Sequence, residues 1–142
     1  MTNPELESLV VVDVDGTIAL RNGREPFEWH KVSTDLPFRA VVDLINDLVS
    51  LGQKIMFVSG RDEGIRNETE IFIQRHINGS HALHMRQSGD FRADEVVKLE
   101  IYNREILDKY PVRFVLDDRD RVVNLWRNKL GLPTFQVNNG DF

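Results

Sequence analysis

Five short apolar runs, each separated from the next by a segment of helical period, constrain this chain more than any other feature. Leu9–Val14, Lys54–Val58, Ala82–Arg86, Arg113–Leu116 and Thr134–Val137 read as strands. Several are near-continuously apolar, as strands covered on both faces are. Leu36–Leu51, Gly64–Ile77, Ala93–Asp108 and Arg119–Leu130 read as helices, the first carrying Ala40, Val41, Leu44, Ile45, Leu48 and Val49 along one side. Gly52 and Gly131 stand where helices stop. This alternation predicts an α/β fold, a doubly wound three-layer sandwich around a mostly parallel sheet. The 142 residues suit one domain with one core. The irregular stretch Ala19–Asp35, with Pro26, Phe27, Trp29 and His30, reads as a short flap, and no other segment has room for a large cap domain.

In such folds ligands bind beyond the carboxyl ends of the strands, and four of these ends are polar. The first run continues Asp13-Val14-Asp15-Gly16-Thr17. Buried carboxylates need partners, and two positions apart on a regular strand they leave the same face. One can attack phosphorus while the other moves a proton; the alternative is an ordinary Asp-Gly turn. The second run ends Ser59-Gly60-Arg61, where a hydroxyl, backbone N–H groups and a forked guanidinium suit a phosphate, or simply make a turn. After the third run, Asp94 and Lys98 share a helix face, either as a solvated pair or as an acid that holds an ammonium against phosphate. The fourth ends Asp117-Asp118-Arg119, metal ligands or a helix cap. Each is ambiguous alone; their order at successive strand ends points to one site.

Composition narrows the classes. A net charge of −5 argues against a general nucleic-acid coat, but not against an enzyme that grips only the end of a strand. The absence of cysteine excludes disulfides and thiolate metal sites and fits a cytoplasmic setting. No apolar stretch reaches membrane-spanning length, and Met1–Glu5 lacks the features of a signal peptide, so no membrane partner is expected. His76, His81 and His84 have no coherent ligand spacing and read as structural or surface residues.

Asp13-Val14-Asp15-Gly16-Thr17, Ser59, Lys98 and Asp117-Asp118 resemble the four motifs of the haloacid dehalogenase superfamily of aspartate-nucleophile phosphotransferases. Longer strings are similar to the 3′-phosphatase domain of bacteriophage polynucleotide kinase/phosphatase: Gly23–Lys31, Arg92–Lys98, and a tail with Asp117-Asp118-Arg119, Val122-Val123, Leu125-Trp126-Arg127 and Gly140-Asp141-Phe142. The likeness runs over residues 8–142. It implies a Mg2+-dependent polynucleotide 3′-phosphatase of nucleic-acid repair, acting on DNA or RNA 3′-phosphates, with 2′,3′-cyclic phosphate ends as a further substrate. By position, Asp13 is the nucleophile, Asp15 the general acid and base, and Lys98 the bridge between phosphate and Asp13. Thr17, Arg24, Ser59, Gly60 and Arg61 bind phosphate, Asp94 orients Lys98, and Asp13, Asp15, Asp117 and Asp118 hold the metal. The resemblance also implies a homodimer and, for a phage-encoded chain, the host cytoplasm. The chain contains no Gly-x-x-x-x-Gly-Lys-Ser/Thr, so no kinase domain and no 5′-kinase activity are expected of it.

A site without a lid favours a polymer end over a metabolite that must be engulfed. Phe27, Trp29 and His30 either stack on a terminal base or pack the flap onto the domain. Two rival readings use similar residues. One is a small-molecule phosphatase of the same superfamily. The other is a receiver-like signalling module, which places its phosphoacceptor on a later strand and lacks Asp-x-Asp-Gly-Thr.

Overall fold

A computed structural model describes residues 7–142. In chain order, β1 (Leu9–Val12) leads into a small antiparallel pair, β2 (Ala19–Leu20) with β3 (Leu36–Pro37). There follow α1 (Arg39–Ser50), β4 (Lys54–Asp62), α2 (Arg66–His76), β5 (Ala82–Arg86) and α3 (Asp94–Glu105). The chain ends with β6 (Val112–Asp117), α4 (Asp120–Asn124) and β7 (Thr134–Gln136). The main sheet runs β5-β4-β1-β6-β7, parallel throughout. β1 is central because all four of its side chains are buried, and alternation sends them to two different cores. Val10 and Val12 pack with Val42 and Ile45 of α1 and Phe72 and Ile73 of α2. Leu9 and Val11 pack with Val97 and Ile101 of α3, Val122 of α4 and Trp126. Fully burying one such side chain contributes about 1.5–3 kcal/mol, so both faces of β1 anchor it. The three layers of the expected fold are present, and among the described residues no large cap covers the sheet's carboxyl end.

Three of the departures from the sequence reading bear on the site. The first long helix starts at Arg39 rather than Leu36. A residue before proline is disfavoured in the helical region, and Leu36 instead pairs with Leu20 and Pro37 with Ala19, closing the flap. β4 runs on to Asp62, with a register shift between Ser59 and Asp62. Ser59-Gly60-Arg61 therefore lies on a bulged strand end rather than in a turn, the kind of irregularity that re-aims side chains. The final helix is α-helical over Asp120–Asn124 and then widens into a π-helix, Leu125–Lys129, where the Leu130 N–H donates to the Leu125 carbonyl at 3.1 Å. Among the described residues no helix is long and apolar enough to cross a membrane.

Candidate active site

The carboxyl ends of β1 and β6 and the first turns of α3 meet around a buried lysine. Lys98, 2% exposed, donates to Asp13 Oδ1 at 2.8 Å and to Asp117 Oδ2 at 3.0 Å. The other oxygen of Asp13 accepts the Thr17 hydroxyl at 3.0 Å. The β1 ladder ends at Val12, and the N–H groups of Thr17, Ile18 and Ala19 all turn back onto the Val14 carbonyl. Strand parity therefore no longer holds at Asp15, and the two aspartates take different partners. Gly16 makes this turn at φ +79°, and a Cβ there would lie 2.0 Å from Asp118 Oδ2. Glycine is required twice over, by backbone conformation and by the approach of Asp118.

Asp15 belongs to a second cluster. Its Oδ1 accepts Arg61 Nη2 at 2.8 Å and Arg24 Nη2 at 3.3 Å, and its Oδ2 accepts Arg61 Nε at 3.0 Å. Both guanidiniums also bind Asp35, through Arg24 Nε at 2.7 Å and Arg61 Nη2 at 2.8 Å. Arg61 further donates to Thr69 Oγ1 of α2 at 3.1 Å. Buried charges persist only when paired in this way. Asp35, which closes the flap, has no site signal of its own in the sequence beyond the need of two arginines near a buried site for carboxylates, because Ser33-Thr34-Asp35 looks like an ordinary turn. Asp15 is the open member, its side chain 35% exposed where the arginines and Asp35 are enclosed. Arg24 faces inward to Asp15 and Asp35, and its guanidinium lies 5.6 Å from the Trp29 ring, which packs the flap inward. Phe27 remains 74% exposed.

Asp94 corrects an expectation. Its carboxylate does not reach Lys98; it accepts Arg86 Nη2 at 2.5 Å and Arg119 Nη1 at 2.7 Å. Arg86 extends from β5 and also donates to the Gly60 carbonyl at 2.9 Å, so Asp94 braces the bulged end of β4. Asp94 still acts on Lys98 by charge. Burial alone would lower the lysine pKa, but the carboxylates of Asp117, Asp13 and Asp94 outweigh it and raise it well above the ordinary value. A Cβ at Gly60 would fall 2.6 Å from Asp94 Oδ1, which explains the glycine there. Ser59 Oγ accepts the Arg61 N–H at 3.0 Å and holds the bulge. His81 pairs with Glu70 at 2.8 Å, His84 lies 3.7 Å from Glu105, and His76 packs on Phe72, so none of these histidines joins the site.

Asp13, Asp117 and Asp118 place carboxylate oxygens within 4.8 Å of one another, all three residues buried. Asp15, expected among the metal ligands, does not bring its side chain into this trio because the arginines take it. Oxygen donors in a small cluster suit a hard divalent cation. The protonation of the trio supports that fit. Burial, then the charge of Asp117, raises Asp13, with Lys98 opposing; burial and Asp117 likewise raise Asp118. Three buried carboxylates have one ammonium between them, and a cation would relieve the excess. The three are not equivalent. Asp117 accepts Lys98, the Trp126 indole N–H at 3.1 Å, and the backbone N–H groups of Asp118 at 2.8 Å and Arg119 at 3.3 Å, which occupy its lone-pair sites. Among the described residues Asp118 takes no ammonium or guanidinium and is the carboxylate freest to ligate.

A parallel sheet with two acids just past β1, a hydroxyl near the end of β4, a lysine on α3 and two acids at the end of β6 defines a haloacid dehalogenase-like phosphatase. The comparisons agree and are narrower. The family model for the phosphatase domain of polynucleotide kinase PNKP matches residues 7–142, and the chain belongs to that family. It is 34% identical over 128 residues to a protein of Autographa californica nuclear polyhedrosis virus described as a bifunctional polynucleotide kinase/RNA ligase, spanning 88% of this chain and 18% of that protein. Among solved structures it is similar to a chain of a Pnkp1/Rnl/Hen1 RNA repair complex, with 39% identity and a TM-score of 0.92 over all of this chain and 46% of that one. A second structure of the Pnkp1/Rnl/Hen1 complex gives 40% and 0.91, covering 99% of this chain and 49% of the other. The D,D-heptose 1,7-bisphosphate phosphatase of B. bronchiseptica shares the fold at 11% identity and a TM-score of 0.61, over 91% of this chain and 79% of that one. The chain thus spans under a fifth of the viral relative and about half of the complex chains.

Proposed function

We propose that this chain is a Mg2+-dependent polynucleotide 3′-phosphatase that works through an aspartyl-phosphate on Asp13 and serves nucleic-acid end repair. The observation that carries the chemistry is the buried Lys98 ammonium 2.8 Å from Asp13 Oδ1, with Thr17 on the other oxygen. A carboxylate held at a strand end by fixed donors is positioned to attack, and the ammonium offsets the repulsion between carboxylate and phosphate. Asp13 attacks phosphorus, the bond to the 3′ oxygen breaks, and Asp15 delivers a proton to the leaving oxygen. Asp15 then takes a proton from water as the water displaces phosphate from Asp13. The exposure of Asp15 suits that exchange, since it is the one acid with an open face. Mg2+, held by Asp13 and Asp118 with Asp117 behind them, would supply the remaining charge neutralisation. Arg61 and Arg24, released from Asp15 as a substrate enters, bind the phosphate oxygens with Ser59 and Gly60.

The nucleic-acid end is supported by family membership, by the repair complexes of the similar structures and by the absence of a large cap among the described residues. Residues 1–142 contribute no 5′-kinase activity in this reading. Phosphate release from 3′-phosphorylated DNA and RNA oligonucleotides, with 5′-phosphate and sugar-phosphate controls in Mg2+ and in EDTA, tests it. Release confined to 3′ ends and to Mg2+ is the expected result. Equal rates at 5′ ends or faster sugar-phosphate hydrolysis would remove the substrate assignment, and full activity of a folded Asp13→Asn protein would remove the nucleophile.

A further inference from the structure

Trp126 is fully buried, yet the partner of its indole N–H is a carboxylate of the site rather than a backbone carbonyl: Nε1 lies 3.1 Å from Asp117 Oδ2, the oxygen that also accepts Lys98. The placement depends on an irregular helix. Residues Leu125–Lys129 form the π-helix, and the extra residue per turn re-aims the side chains that follow α4. The ring edge meets Tyr102 of α3 at 6.2 Å between centroids, so the indole is wedged between the helix that carries Lys98 and the strand that carries Asp117. π-Helices are rare and concentrate at functional sites.

We propose that Trp126 is a positioning residue for phosphoryl transfer: its N–H holds Asp117 so that the shared oxygen keeps the Lys98 ammonium against Asp13. Two donors on one oxygen fix its direction as well as its charge. Without the indole, Asp117 retains its backbone bonds through Oδ1 and is free to swing Oδ2, and Lys98 follows it away from Asp13. Trp126 is fully buried and bonds the site through Asp117, so the loss falls on the chemical step and not on binding. The inference rests on the phosphatase chemistry proposed above but not on which phosphate ester is the substrate.

Trp126→Phe removes the donor and keeps an aromatic ring, leaving a small cavity where the larger indole packed. With a 3′-phosphorylated oligonucleotide and with a simple aryl phosphate, kcat is expected to fall about 10–100-fold, the scale of one hydrogen bond to a charged group, with KM within about twofold and the melting temperature lowered by several degrees by the cavity. Unchanged kcat in folded protein, or a change confined to KM, overturns the assignment. Should Trp126→Phe fail to fold, benzothienylalanine at position 126 replaces the N–H by sulfur in a ring of the same shape, with the same expectations. A second readout does not depend on turnover. In a Trp29→Phe background the single indole N–H resonance belongs to Trp126, and Lys98→Met must move it because both donors share one oxygen. A resonance indifferent to Lys98→Met overturns the coupling. If wild-type protein hydrolyses neither ester while that coupling is intact, the phosphatase chemistry fails and the positioning geometry stands.

Discussion

Removing the Lys98 ammonium while keeping its stem measures the electrostatics of the site directly. In Lys98→Met, three buried carboxylates within 4.8 Å of one another lose the ammonium that Asp13 and Asp117 bind directly. Breaking a buried ion pair from one side costs about 3–5 kcal/mol, because the remaining charge stays desolvated. Unfolding entropy near 2.1 cal/mol/K per residue gives a chain of this length about 0.3 kcal/mol per degree, so the melting temperature should fall by about 10–17 °C in EDTA at pH 8. The sign with pH follows from the directions of the shifts. Lys98 is raised, so its contribution is fully present below the unfolded lysine value of 10.5 and does not change between pH 5 and pH 8. Asp13 and Asp118 are raised above 3.8, so the fold binds their protons more tightly than the unfolded chain does, and stability falls as pH climbs from 3.8 through their folded values. Without the ammonium those values rise further. The deficit of Lys98→Met is therefore widest at pH 8 and narrows toward pH 5, where protonation does part of the lysine's work. Thermal denaturation followed by circular dichroism at the two pH values checks this, and phosphate release should drop by about 10²–10³-fold, the loss expected for one preorganised donor. A variant that melts within 3 °C of wild type in EDTA at pH 8 (about 1 kcal/mol by the same entropy) would refute the reasoning.

Divalent cation should restore what the carboxylates lack: Mg2+ at about 100 times its Kd should add about 2.7 kcal/mol to wild-type stability, read as a rise in melting temperature. That rise should shrink at pH 5, because Asp13 and Asp118 must release protons to bind the ion. Gly16→Ala forces a left-handed backbone on a residue with a Cβ, costing about 1–2 kcal/mol, and drives that Cβ into Asp118, so a Mg2+ titration should show weaker binding beyond the loss of stability. Asp35→Ala leaves Arg24 and Arg61 sharing only the half-open Asp15, and should cost about 3–5 kcal/mol in urea unfolding, with limited proteolysis cutting first within residues 19–35.

Much of the site was legible because strand-end grammar is local. Asp13, Ser59 and Asp117 each follow an apolar run, and in a parallel sheet such runs deliver their last residues to one edge. Lys98 was legible for a related reason, lying one turn into a helix that starts at that edge. Side-chain partners were not legible. The spacing of Asp94 and Lys98 is right for an ion pair, yet Arg86 and Arg119 compete for the carboxylate from β5 and from the start of α4, and win because a guanidinium offers more donors than an ammonium already held by two acids. Asp35 carried no local signal, since its role exists only once the flap folds back over Arg61. The bulge in β4 and the π-helix after α4 escaped for the same reason: periodicity reports regular elements, and these are departures from it.

The sequence by itself determined the layers, the flap and the line of acids, hydroxyl and lysine at successive strand ends, because hydrophobic period and strand termination are properties of neighbouring residues. Only the tertiary structure divided the acids among their tasks. Asp13 and Asp15 stand two residues apart, yet one pairs with a lysine 85 positions away and the other with arginines 9 and 46 positions away. Desolvation makes each buried charge take the nearest partner in space, and chain separation carries no information about which partner that is.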